Sequence, residues 1–302
     1  MTHNAIEFKG IITYPITPFT HTGGIDVAKL EQLIEQLLQT GSNAIAPLGS
    51  TGESAYLNDE EWTLVASTCI NKIANRVPVI VGISELTTQN AIKRARIAED
   101  VGADAIMVLP ASYWKLCDDE IFQHYASIAE AVSLPVMVYN NPATSGIDMS
   151  PELIVNMFNS IDNITMVKES SGDIQRMHKI RMLSNNELPF YNGCNPLALE
   201  AFAAGATGWC TAAPNLISTW PLKLYQACEA GDIHLARELF YHQLPILEFI
   251  LKGGLPSTIK AGLTNNGFDV GAPRKPVFPL HDTQIIKLEH LLEKLNRANF
   301  TQ

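Results

Sequence analysis

The chain has 302 residues, 46% of them hydrophobic and 17% charged, with a formal net charge of −10. That length buries enough apolar surface to fold without disulfide or metal staples, and the acidic balance argues against nucleic-acid or anionic-membrane partners, which need clustered cations. The cysteines Cys69, Cys117, Cys194, Cys210 and Cys228 form no CxxC pair, so reduced thiols in a cytoplasmic protein are expected. No run approaches the ~18 uninterrupted apolar residues of a spanning helix. Residues 1–10 lack the basic and apolar regions of an export signal, so neither a membrane span nor secretion is expected.

Taken in chain order, apolar runs bounded by Gly and Pro fall at 10–19, 44–49, 78–83, 105–110, 135–139, 164–168, 190–193 and 207–212. Each is continuous rather than alternating, as in parallel strands buried on both faces. Amphipathic stretches of helical length lie between most of them. One covers 58–75, with Trp62, Val65, Ala66, Cys69 and Ile73 on a single face, and Asn58 with Glu61 forms its expected N-terminal cap. Gly41, Gly102 and Gly205 each stand where a helix gives way to a strand, which fits a left-handed cap. Pro78, Pro135 and Pro189 stand at strand entrances, where the missing N–H costs nothing. Eight strands alternating with helices point to an α/β fold, a closed (β/α)8 TIM barrel over residues 1–220; a doubly wound open sheet is the rival. Beyond Pro221 the pattern is purely helical (222–230, 233–249, 256–263 and 283–296), predicting a C-terminal helical extension, 221–302, packed on the barrel.

In such barrels the chemistry sits at the C-terminal strand ends. Lys168 closes the apolar run 164–167, where dehydration favours the neutral amine that attacks a carbonyl. The same position also fits a lysine snorkelling to the rim or paired with Glu169. Tyr139 ends the neighbouring run, about 5 Å away across the sheet. A rim aromatic with a satisfied hydroxyl would look the same. The turn Gly49-Ser50-Thr51-Gly52 supplies backbone N–H groups and two hydroxyls suited to a carboxylate, although Ser50 with Glu53 also matches a capping box. Amine, phenol and carboxylate cradle together suit a 2-oxo acid held as an imine. No HxxxH, HxH, GxGxxG, P-loop or GxSxG motif is present, and the turns at 193–196 and 211–214 lack a glycine-rich phosphate loop. A metal-free, cofactor-free enzyme acting on a non-phosphorylated substrate is therefore expected.

Gly49-Ser50-Thr51-Gly52-Glu53, Tyr139-Asn140-Asn141-Pro142 with Gly146, and Lys168 together resemble the dihydrodipicolinate synthase / N-acetylneuraminate lyase family along essentially the whole chain. The resemblance implies a class I Schiff-base (β/α)8 lyase, usually a tetramer built as a dimer of dimers. It casts Lys168 as the imine-forming residue and Tyr139 as the proton relay, with Thr51, and with Tyr113 lent by a neighbouring subunit. It places Gly49, Ser50, Thr51, Thr144, Gly193, Cys194 and Cys210 at the substrate. Two departures bear on specificity. Thr144 stands where dihydrodipicolinate synthases carry an arginine for the semialdehyde carboxylate, and Thr cannot form that charge-assisted pair. Cys194 and Asn195 stand where sialic acid lyases carry acidic residues. The resemblance thus implies a branch that cleaves, dehydrates or deaminates another 2-oxo or cyclic imino acid, with 4-hydroxy-tetrahydrodipicolinate synthase (pyruvate plus aspartate semialdehyde) as the alternative. A catalytically silent small-molecule-binding barrel is the reading from another class. A metal-dependent barrel lyase would need a ligand set that the strand ends do not offer.

Overall fold

The computed structural model describes residues 8–298. Eight parallel strands form one sheet in the order β2-β1-β8-β7-β6-β5-β4-β3. They are β1 (Gly10–Thr13), β2 (Ala44–Ile45), β3 (Ile80–Ile83), β4 (Ala105–Val108), β5 (Val136–Asn140), β6 (Ile164–Glu169), β7 (Phe190–Asn192) and β8 (Gly208–Thr211). The bridge Ile45↔Val79, with Ile45 N–H donating to Pro78 O and Gly82 N–H to Pro47 O, joins β2 to β3 and closes the cylinder. The rival open sheet is thereby excluded, and the protein is a (β/α)8 barrel.

The run 44–49 yields only a two-residue ladder strand. Pro47 has no N–H to donate and Leu48 turns to φ 63°. At the seam Gly82 lies under the Leu48 carbonyl, where an added Cβ would stand 2.4 Å from that oxygen, so only glycine allows the approach.

Around the strands run α1 (Val27–Gln39), α2 (Asp59–Ile73), α3 (Thr88–Asp100), α4 (Asp118–Glu130), α5 (Pro142–Ser145), α6 (Pro151–Ser160), α7 (Ile174–Leu183), α8 (Ala198–Ala203) and α9 (Pro214–Ile217). In α2 the capping box forms as read, with Glu61 N–H on Asn58 Oδ1 and Asn58 N–H on Glu61 Oε2, and the expected face from Trp62 to Ile73 is buried. Gly41, Gly102 and Gly205 adopt positive φ at the helix–strand junctions. The carbonyls of Pro78, Pro135 and Pro189 accept from the adjoining strand.

Four further helices follow: α10 (Trp220–Glu229), α11 (Ile233–Gly253), α12 (Leu255–Asn265) and α13 (Asp282–Arg297). The break between α11 and α12 at Gly254, φ 84°, brings Leu251 and Leu255 to the C-terminal mouth of the barrel. No helix among the described residues is long and apolar enough to cross a membrane.

Candidate active site

The parallel register sets the two candidate residues side by side, because Tyr139 of β5 is the direct partner of Lys168 of β6. Both are buried, Lys168 at 5% exposure and Tyr139 at 3%. The Lys168 Nζ lies 3.8 Å from the centre of the Tyr139 ring and 4.2 Å from that of Tyr14. Lys168 therefore neither snorkels outward nor pairs with Glu169. The Glu169 carboxylate is held by Asn140 Nδ2, by Arg176 Nε at 3.2 Å and by the Ser171 N–H at 2.7 Å.

The Tyr139 hydroxyl accepts from Asn141 Nδ2 at 2.8 Å and is hydrogen-bonded to Ser50 and to Lys168. Burial pushes this phenol up, but the Lys168 charge and those hydrogen bonds outweigh it and leave it below its ordinary value. Tyr14 shows the opposite balance. Burial first, and then the neighbouring Cys210 thiol, hold its hydroxyl well above the usual tyrosine range, while the hydroxyl donates to Met107 Sδ. Burial also raises the thiols of Cys194 and Cys210, which keeps both as neutral groups in the wall.

The residues 50–52 form a 3₁₀ turn, not the start of an α-helix. Thr17 Oγ1 donates to Gly52 O and fixes the turn from β1's side. Its first N–H groups find no acceptor within so short a turn. The capping box of Ser50 with Glu53 does not form. Glu53 takes a left-handed backbone (φ 56°), and its side chain turns away to Lys260. Of the two hydroxyls in the turn, it is Ser50 that bonds to Tyr139, while Thr51 is 3% exposed and lines the same space.

That space is a cavity of about 310 Å³ at the strand ends, walled by Ser50, Thr51, Tyr139, Thr144, Lys168, Gly193, Cys194 and Cys210 among others, with Leu251, Gly254 and Leu255 above it. Lys168 is the only charged side chain lining it among the described residues. Gly193 leaves room for both side chains here, since a Cβ would stand 2.6 Å from Lys168 Cε and 1.7 Å from Ser170 Oγ and one of them would have to move. Asn195 Oδ1 accepts from Trp209 Nε1 and Thr211 Oγ1, and Trp209 is fully buried in the core. A smaller cleft of about 130 Å³ adjoins, sharing Gly49's neighbour Ser50 with Tyr139 and Thr144, and Gly49 itself lines it. Tyr113 is elsewhere. It stands 86% exposed on the loop after β4, edge-on to Trp114.

Tyr14 and Ser170 escaped the sequence reading. Tyr14 directly follows β1, so the rule that strand ends face the mouth would have found it. Ser170 directly follows β6, and its buried hydroxyl has no protein partner.

The model of the dihydrodipicolinate synthetase family matches residues 7–295. The chain belongs to that family. Members are Schiff-base, pyruvate-dependent lyases, and this protein is a lyase-type enzyme of the family. The family includes 4-hydroxy-tetrahydrodipicolinate synthase 2 of Halalkalibacterium halodurans, 33% identical over 96% of this chain and 99% of the relative. A Pseudomonas aeruginosa crystal structure, described as a candidate dihydrodipicolinate synthetase, is 59% identical with a TM-score of 0.94, covering 95% of this chain and 99% of that one. A dihydrodipicolinate synthase variant described as monomeric superposes with a TM-score of 0.92 at 25% identity, over 98% and 99% of the two chains. Family members bind small 2-oxo acids and commonly assemble into oligomers.

Proposed function

We propose that Lys168 forms the imine with a non-phosphorylated 2-oxo acid whose carboxylate rests on the Ser50–Thr51 turn. The observation that carries this reading is the buried Lys168 amine over the Tyr139 ring, with the phenol bonded to both Lys168 and Ser50. The neutral amine adds to the keto carbon, and the phenol hands protons to and from the resulting hydroxyl until it leaves as water. In a cleavage, the iminium then draws the electron pair of the C3–C4 bond into an enamine while the Tyr139 phenolate takes the proton of the C4 hydroxyl, so the outer fragment leaves as an aldehyde; protonation of C3 and addition of water release the shortened 2-oxo acid and restore the amine. A phenol held below its ordinary value exchanges protons more readily near neutrality than a free one.

Apart from Lys168, the described residues that line the cavity carry no charge, Thr144, Cys194 and Leu255 among them. This favours a 2-oxo acid whose distal end is uncharged. Condensation of pyruvate with aspartate semialdehyde is the second reading, supported by the names of the relatives and opposed by Thr144. For assembly, the reading is that Tyr113 of a second copy enters the side cleft walled by Leu48, Ile83, Met107 and Leu109, and extends the relay at Ser50.

Treatment with pyruvate and borohydride should label Lys168, as read by peptide mass spectrometry. Lys168→Ala should abolish the label with the fold intact. Tyr139→Phe should keep the label but slow turnover by roughly a hundredfold or more. A label on another residue, beside undiminished turnover, sinks the assignment.

A further inference from the structure

We propose that Glu53 and Lys260 are positioning residues, through which the C-terminal helices hold the Ser50–Thr51 turn in its binding shape. The inference rests on the reading of that turn as the carboxylate cradle and goes beyond it. Glu53 closes the turn in the left-handed region at φ 56°, a conformation that strains a non-glycine residue. Its carboxylate is fully buried, with Oε1 2.6 Å from Lys260 Nζ of α12, itself 2% exposed. The other oxygen, Oε2, accepts the backbone N–H of Arg274 at 2.6 Å.

The same cluster reaches further. Lys260 Nζ donates to Ala272 O and lies 3.9 Å from the centre of the Phe19 ring, and the Arg274 guanidinium lies 4.4 Å from the same centre. Arg274 in turn grips Glu61 through both terminal guanidinium nitrogens and donates to the carbonyls of Tyr56 and Gly23. Glu53 thus ties α12 and the 266–281 segment to the one turn that carries Ser50 and Thr51. Lys260 does not line the cavity, so it acts only through Glu53.

A buried ion pair returns little net stability, because dehydrating both charges offsets their attraction. A strained backbone subtracts more. Folding alone would be served as well by apolar residues, whereas a turn that must present two hydroxyls and its N–H groups in fixed positions needs a rigid anchor.

The test uses the full-length protein and borohydride trapping of pyruvate at Lys168, followed over a range of pyruvate concentrations. The variants are Lys260→Met and the double Glu53→Gln/Lys260→Met. The double leaves no lone buried charge, so its melting temperature should recover to near that of the parent, and it carries the test if the single variant fails to fold. In the double variant, half-saturating pyruvate should rise roughly tenfold or more, with the saturated trapping rate within about twofold of the parent. Recovery of half-saturation together with melting temperature would overturn the proposal. So would a fall in the saturated rate at unchanged half-saturation. An untrapped parent protein would instead overturn the Schiff-base reading, which separates the two failures.

Discussion

Gly193 shows how tightly the Lys168 amine is housed. It adopts no unusual backbone angle, and what matters is the volume a methyl group would take from the Lys168 stem and the Ser170 hydroxyl. Gly193→Ala should displace the amine by a fraction of an ångström to an ångström and slow trapping by on the order of a hundredfold. Quenched-flow trapping with mass detection checks this, and an unchanged rate would mean the pocket yields. Lys168 and Tyr139 were legible in the sequence because parallel strands one repeat apart must bring their last residues together, and the register does so. Ser170 was not legible, since a serine after a strand looks like any loop serine. Glu53 was misread for a related reason. A capping box is a local pattern, and the lysine that claims Glu53 lies in a helix at the far end of the chain.

Among the elements, α2 was the most fully readable, since its cap and its buried face both lie within one local stretch. Its Glu61 does double duty, closing the capping box with Asn58 and receiving Arg274. The Arg274 hydrogen bonds hold the Glu61 carboxyl below the usual glutamate range, with burial opposing them. Asn58→Ala removes only the side-chain half of the cap, so denaturant unfolding should show a loss of about 1 kcal/mol. A loss several times larger would mean that Glu61 also releases Arg274 once the cap is gone. Strand β2 was over-read, because hydrophobic continuity over 44–49 does not register that Pro47 and the left-handed Leu48 end the ladder at Ile45. The stretch past Ile45 serves instead as the approach to the binding turn.

At the scale of the whole molecule, the sequence conveyed the closed barrel through repetition alone, but it could not convey what other copies do. Tyr113 and Trp114 expose 86% and 77% of their surface beside each other, an apolar patch that is costly in water. Light scattering over a dilution series should find an assembly at high concentration, and turnover per chain should fall as it dissociates. Tyr113→Ala should lower turnover without reducing trapping at Lys168. A chain that remains single at every concentration and keeps full activity would remove Tyr113 from the mechanism.

The seam between β2 and β3 has one more consequence. The cylinder is shut there by the Ile45–Pro78 and Gly82–Pro47 hydrogen bonds, with Leu48 pressed against Gly82 just ahead of Gly49. On the β2 side that join rests on only two ladder residues, Ala44 and Ile45, and the chain runs from it directly into the turn that carries the Ser50 and Thr51 hydroxyls. A carboxylate held by the turn, as proposed, would brace the cylinder at its seam, so that occupancy and barrel rigidity would rise and fall together.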